Sequence, residues 1–160
     1  MSLDNRNRKI FLICFFAWLL VASWMVIIFL LSNQPSNESD ALSMGLLKKI
    51  MDIFSINLTD HAIRKTAHTF EYFLLAALIF TASRWTWHRS RPFLTFFAAL
   101  IYSTGDEFHQ HFIPGRAPRF SDVCIDSAGA IAGILFCLAA VTIFNKLKRR
   151  REQCEEKPIK

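Results

Sequence analysis

A chain of 160 residues has room for one domain. It is 52% hydrophobic with 16 Phe, and its apolar residues fall in blocks rather than at helix or strand period, which argues against an ordinary soluble core and for a membrane protein. The net charge of +6 calls for no nucleic-acid partner, because basic residues in the C-terminal tail are what the cytoplasmic face of a membrane protein carries.

Residues 10–31 run without a charge. A bilayer core takes about 20 helical residues. A secretory signal has a shorter apolar core and a small-residue cleavage site, so the run predicts a retained first helix. Residues 32–40 form a polar linker with Pro35. Residues 41–56 read as an amphipathic helix, with Met44, Leu47, Met51 and Phe54 at helical spacing and Lys48, Lys49, Asp52 and Ser55 on other faces. Such a helix would lie on the outer surface, as a lid or as simple packing on the bundle top.

Two weaker spans follow. The apolar stretch 70–82 reaches membrane length only as 63–83, which takes in Arg64, Lys65, His68 and Glu71. The stretch 93–105 reaches it only as 92–112, which takes in Asp106, Glu107, His109 and Gln110. Residues 123–144 form a clear fourth span marked by Asp126, and 145–160 a basic tail. The expected fold is a single all-α domain over 1–160, a four-helix transmembrane bundle with an extracytoplasmic amphipathic helix in its first loop.

Lys and Arg set the orientation. Arg6, Arg8 and Lys9, then Arg84, Arg89 and Arg91, then Lys146, Lys148, Arg149, Arg150, Arg151, Lys157 and Lys160 fall on one side of four spans. Only six of the 19 basic residues fall on the other. Both termini are therefore expected in the cytoplasm, with the chain multi-pass in a cytoplasmic (inner) membrane. The polar end of the second span, the polar end of the third and the start of the fourth (Asp122, Asp126) then share the outer leaflet.

Charge at bilayer depth is costly and normally carries function. Arg64, His68, Glu71 and Tyr72 follow i, i+4, i+7 and i+8 and form one stripe, with Lys65 beside it. Asp106 and Gln110 are four apart and face together. Pro114-Gly115 ends that helix, and Arg116 beyond the turn can fold back over the acids. Asp122, Asp126, Gly129 and Gly133 share one face of the last helix. Gly129-x-x-x-Gly133 allows a close helix approach, either inward within the chain or between two copies.

Three readings of this constellation compete. It can be a network that locks the helices, a binding site in which Arg64, Lys65 and Arg116 clamp an anionic or amphipathic headgroup, or a catalytic site with His68 and Glu71 or Asp106 as an acid–base pair. A small proton-coupled transporter with Glu71 as proton carrier is a further alternative. His61, His68, His109 and His111 lie near carboxylates but lack zinc spacing, and no Gly-x-Ser-x-Gly string occurs. No metal and no cofactor is expected. Cys14, Cys124, Cys137 and Cys154 form no disulfide pattern.

At these residues the chain resembles the VanZ-like family of bacterial membrane proteins. The resemblance rests on Arg64-Lys65, His68, Glu71-Tyr72, Asp106-Glu107, Gln110, Pro114-Gly115-Arg116, Asp122, Asp126, Gly129 and Gly133, with a weaker likeness at Ser32-Asn33-Gln34. It covers residues 60–135 in detail and most of the chain in outline. The turn continues Ala117-Pro118-Arg119-Phe120, where smaller polar residues belong to the family pattern, and His109 and His111 fall at positions that pattern leaves open. The family is named for a protein linked to low-level resistance to teicoplanin, a lipid-tailed glycopeptide. The resemblance implies a cell-envelope role beside the lipid bilayer, with a lipid-linked precursor or lipoglycopeptide as ligand. Tyr72, Glu107, Gln110, Asp122 and Asp126 then join the basic residues around it.

Overall fold

A computed structural model of the chain describes residues 2–33, 60–113 and 119–155, with side chains for 7–33, 65–113 and 119–153. Most of these residues are helical, and they form four elements, α1 (Ser2–Ser32), α2 (Asp60–Trp87), α3 (Pro92–Gln110) and α4 (Phe120–Glu155). The segment expected to be an amphipathic helix, 41–56, lies outside the described residues.

The apolar runs at 10–31 and 123–144 are the middles of longer helices. Among the described residues, Asn7–Ser32 and Phe120–Gln153 are long and apolar enough to cross a membrane. Only 6% and 28% of their most apolar windows are buried in the bundle, so neither is the core helix of a soluble protein. The stretch expected as a basic tail from 145 instead continues α4 to Glu155. Lys, Arg, Glu and Gln are good helix formers, and Lys148 pairs with Glu152 one turn on at 3.8 Å. The polar strings keep α2 and α3 out of that apolar class. At 19 residues, α3 is about 28 Å long, close to the thickness of a hydrocarbon core.

The turn between α2 and α3 is tight. His88 takes a left-handed conformation (φ 54°) just past Trp87, a C-terminal stop that His tolerates better than branched residues. Pro92 then opens α3 at the position where a missing N–H costs nothing. Arg84 donates to Ser90 Oγ at 3.0 Å, and the Arg91 guanidinium lies 4.9 Å from the Trp87 ring centre, so both ends of the turn are tied down.

α2 is the centre of the bundle. It packs most extensively on α4 and also contacts α1 and α3, while α3 leans on α4. Gly129 and Gly133 let α4 approach α2. A Cβ on Gly129 would strike the Thr69 carbonyl group, with the carbonyl carbon at 3.0 Å, and one on Gly133 would strike that of Phe73, with the carbon at 3.1 Å. The inward of the two expected roles for these glycines is therefore the one their surroundings fit, since the backbone of α2 covers them. Thr69 and Phe73 are themselves four apart, so the two helices meet over a full turn.

Two small cores flank α2. Val21 and Ile28 of α1 meet Tyr72, Leu75, Ile79 and Ala82 on one side. Ala76 and Phe80 meet Ala99, Ala130 and Ile134 on the other. The exterior is apolar on every helix, with Phe93 79% exposed and Ile101 71% exposed. The inward face of α3 carries Thr95, Ala99, Ser103, Asp106, Glu107 and Gln110. This is the reverse of a soluble amphipathic helix and suits a lipid surround.

Gly129→Ala should lower stability by about 1–3 kcal/mol, because the methyl has no room against backbone. Gly105→Ala, whose Cβ meets nothing within 4 Å, should raise it by about 0.5–1 kcal/mol through helix propensity. Thermal midpoints in detergent, followed by far-ultraviolet circular dichroism, should move in opposite directions.

Candidate functional site: a polar cluster at one end of the bundle

The start of α2, the end of α3, the start of α4 and the end of α1 meet at one end of the bundle. The last turn of α3 tightens to i, i+3 hydrogen bonds, from His111, Phe112 and Ile113 N–H to the carbonyls of Phe108, His109 and Gln110 at 3.0–3.2 Å. This turn holds Gln110 against α1, where its Nε2 donates to Ser32 Oγ at 2.8 Å and to Asp106 Oδ2 at 3.3 Å. The expected pairing of Asp106 with Gln110 on one face is thus observed. His109 Nε2 lies 3.3 Å from Asn33 Oδ1, and its ring packs on Phe29 with centroids 4.8 Å apart.

Glu107 points the other way, to α4. Its carboxylate accepts a hydrogen bond from the Arg119 N–H, just before α4 begins. A carboxylate there complements the positive end of the helix dipole and serves as a cap supplied from another helix. Asp122, in the first turn of α4, adds a second acid at that end and pairs with Lys65 of α2 at 3.6 Å. Both partners are about a third exposed, so this ion pair lies at the rim.

The floor of the cluster is buried. Ser103 Oγ donates to Asp126 Oδ2 at 2.7 Å. Tyr72 is fully buried (0% exposed) and Asp126 nearly so (4%). The Tyr72 hydroxyl and Asp126 Oδ1 find no hydrogen-bond partner among the described residues. Asp126 also feels the like charges of Asp106, Glu107 and Asp122. Tyr72 lies against Tyr102, with ring centres 6.3 Å apart. The Tyr102 hydroxyl donates to the Met25 carbonyl, and Trp24 Nε1 donates to the Glu71 carbonyl at 3.0 Å, which pins α1 to the cluster. Above this floor His68 Nδ1 sits 3.5 Å from Glu71 Oε2, one turn apart on α2 and only partly exposed.

The structure therefore brings Lys65, His68, Glu71, Tyr72, Asp106, Glu107, Gln110, Asp122 and Asp126 to one end. The side chain of Arg64 and all of Arg116 lie outside the described residues. Sequence reasoning passed over Ser103, Tyr102 and Trp24. The first had a legible signal, because Thr95, Ala99 and Ser103 continue the Asp106 and Gln110 face at steps of three and four. The tyrosine and tryptophan had none, since their donors go to backbone carbonyls of another helix. Among the described residues no group of three or more His, Cys, Asp and Glu is arranged to hold a metal ion.

Aromatic side chains also stand near this end. Phe108 and Phe112 pack edge-on with centroids 5.5 Å apart, Phe70 stacks on Phe73 at 6.3 Å, and Phe120 is 83% exposed. Buried polar groups beside exposed aromatic side chains, in a bundle with two helices long and apolar enough to cross a membrane, define the class as a small all-α protein of membrane-compatible build. The chain belongs to the VanZ/LLP1 family, whose model matches residues 15–145. No curated protein and no solved structure matches it.

Glu107→Ala should release the start of α4 while leaving its glycine contact intact. Amide hydrogen exchange should quicken at 119–122 and stay slow around 129–133, with a loss of about 1–2 kcal/mol as for other helix caps. Equal speeding along all of α4 would show that Glu107 supports the whole bundle rather than one helix end.

Proposed function

We propose that this chain is a multi-pass protein of the cytoplasmic membrane, with both termini cytoplasmic and the polar cluster in the outer leaflet. There it binds or handles an amphipathic lipid or a lipoglycopeptide of the cell envelope. The observation that carries this reading is the pairing of buried polar groups with exposed aromatic side chains at one end of the bundle. Such a pairing suits a ligand with a polar head and an apolar tail, because the head gains hydrogen bonds while the tail stays in lipid.

The roles divide by charge. Lys65, with Arg64 and Arg116, contacts anionic groups of the ligand. Asp122 positions Lys65, and Tyr72, Asp106, Glu107, Gln110 and Asp126 form the polar wall. Association of identical chains is no part of this reading, because Gly129 and Gly133 already pack on α2.

The test is teicoplanin susceptibility in a sensitive Gram-positive host at matched membrane abundance. Wild type should raise the tolerated concentration, and Glu71→Gln should return it to the empty-vector level. No difference between wild type and vector would remove the lipoglycopeptide ligand from the proposal.

One observation favours a second reading, catalysis on a lipid-linked substrate. His68 and Glu71 are within 3.5 Å, close enough to work as an acid–base pair. His68→Gln keeps a hydrogen-bonding side chain but removes the titrating ring. If purified His68→Gln binds teicoplanin as wild type does, by change in tryptophan fluorescence, yet gives no tolerance in cells, the pair turns something over. Loss of binding together with tolerance makes His68 a binding residue.

A further inference from the structure

At the opposite end of α2 a groove of about 770 Å³ opens between α2 and α4. Its walls are mostly apolar, with Phe136, Ala140 and Phe144 along α4 and Trp85 on α2, and Arg84 and His88 stand at its α2 end. No carboxylate lines it among the described residues. We propose that this groove is a binding site for an anionic glycerophospholipid of the cytoplasmic leaflet, with an acyl chain along Phe136–Phe144 and the phosphate at Arg84 and His88.

Three features converge on that occupant. First, Arg84 is held in place. One of its N–H groups donates to Ser90 Oγ, and a guanidinium has five donors in a planar fork that matches a phosphate. Second, the apolar and basic parts are stacked in the order of a phospholipid. The strip from Phe136 to Phe144 is about 12 Å long as helix, and α4 turns basic directly beyond it at Lys146 and Lys148. Trp85, with its apolar body and polar N–H, lies at that boundary, where such rings settle. Third, Arg89 and Arg91 in the neighbouring turn add positive charge, and basic pockets between helices on the cytoplasmic side select anionic headgroups. A neutral apolar ligand would leave Arg84 and His88 unused, and a soluble anion would leave the Phe136–Phe144 strip bare.

The inference rests on the membrane reading of the chain but not on any ligand of the outer leaflet. Full-length protein is purified in detergent, and native mass spectrometry records the lipid retained after adding phosphatidylglycerol or phosphatidylcholine. Wild type should retain about fivefold or more phosphatidylglycerol over phosphatidylcholine, the factor expected for one or two basic contacts. Arg84→Gln with His88→Gln should bring the two lipids level. Ala140→Trp, at an exposed position where a large ring fills the groove without striking the core, should reduce retention of both. Equal retention of the two lipids by wild type, an unchanged preference in the double variant or undiminished retention by Ala140→Trp would each overturn the site. Recovery of wild type from the soluble fraction without detergent would overturn the membrane reading and the groove with it.

Discussion

The approach of α4 onto α2 through Gly129 and Gly133 is the contact on which the other arrangements depend. At Gly129 and Gly133 no side chain stands between them, only glycine against the Thr69 and Phe73 carbonyls. Such contacts gain dispersion and weak Cα–H···O attraction, terms that survive in lipid where the hydrophobic effect between helices does not. Asp126 stands one turn before Gly129, so the same approach drives its carboxyl into the groove where Ser103 meets it and Tyr72 is buried. If α4 sat farther out, Asp126 would lose its Ser103 partner.

From this contact follows the inverted character of the molecule. The cores are small, one of them alanine-rich, and the large side chains are mostly outside. In water the exposed Phe residues would drive aggregation. In a bilayer they cost nothing, and the energetic burden moves to the polar groups inside. Most of these find partners, Gln110 with Ser32 and Asp106, Ser103 with Asp126, and Glu107 with the Arg119 N–H. An unsatisfied buried polar group costs about 1–3 kcal/mol. Tyr72 Oη and Asp126 Oδ1, buried at the floor, are where that cost would fall if nothing beyond the described residues meets them.

The legibility of this structure follows the range of the interactions. The two charge-free runs and the polar strings are local in the sequence, so four helices and the sharing of faces by Asp106 with Gln110 and by Asp126 with Gly129 could be read directly. The ends of α4 were less legible, because a basic tail and a basic helix have the same composition, and only the i, i+4 pairing at Lys148 and Glu152 separates them. Contacts from aromatic side chains to the backbone of another helix left no trace in the sequence. Trp24 reaching the Glu71 carbonyl and Tyr102 reaching that of Met25 depend on how α1 docks, and apolar-looking residues with a polar tip give no sign of which backbone they will meet. The expected lid at 41–56 and the clamp residues Arg64 and Arg116 stand outside the described side chains.

The acids of the cluster bear on whether its bases are free for a ligand. Five carboxylates, Glu71, Asp106, Glu107, Asp122 and Asp126, would consume any nearby cation if each needed one. Helix geometry reduces that demand. Both α2 and α4 begin at this end, and a helix N-terminus carries about half a positive charge. Glu107 is satisfied by the N–H before α4 and Asp122 sits in its first turn, while Ser103 and Gln110 serve Asp126 and Asp106. Backbone and neutral donors thus meet much of the negative charge. Lys65 is then held at the rim by one acid that has a second source of stabilisation, at a third exposed and 3.6 Å away. A lysine tied that loosely can exchange Asp122 for a phosphate or carboxylate at little cost, which is the property an anion-contacting residue needs and a locking ion pair lacks.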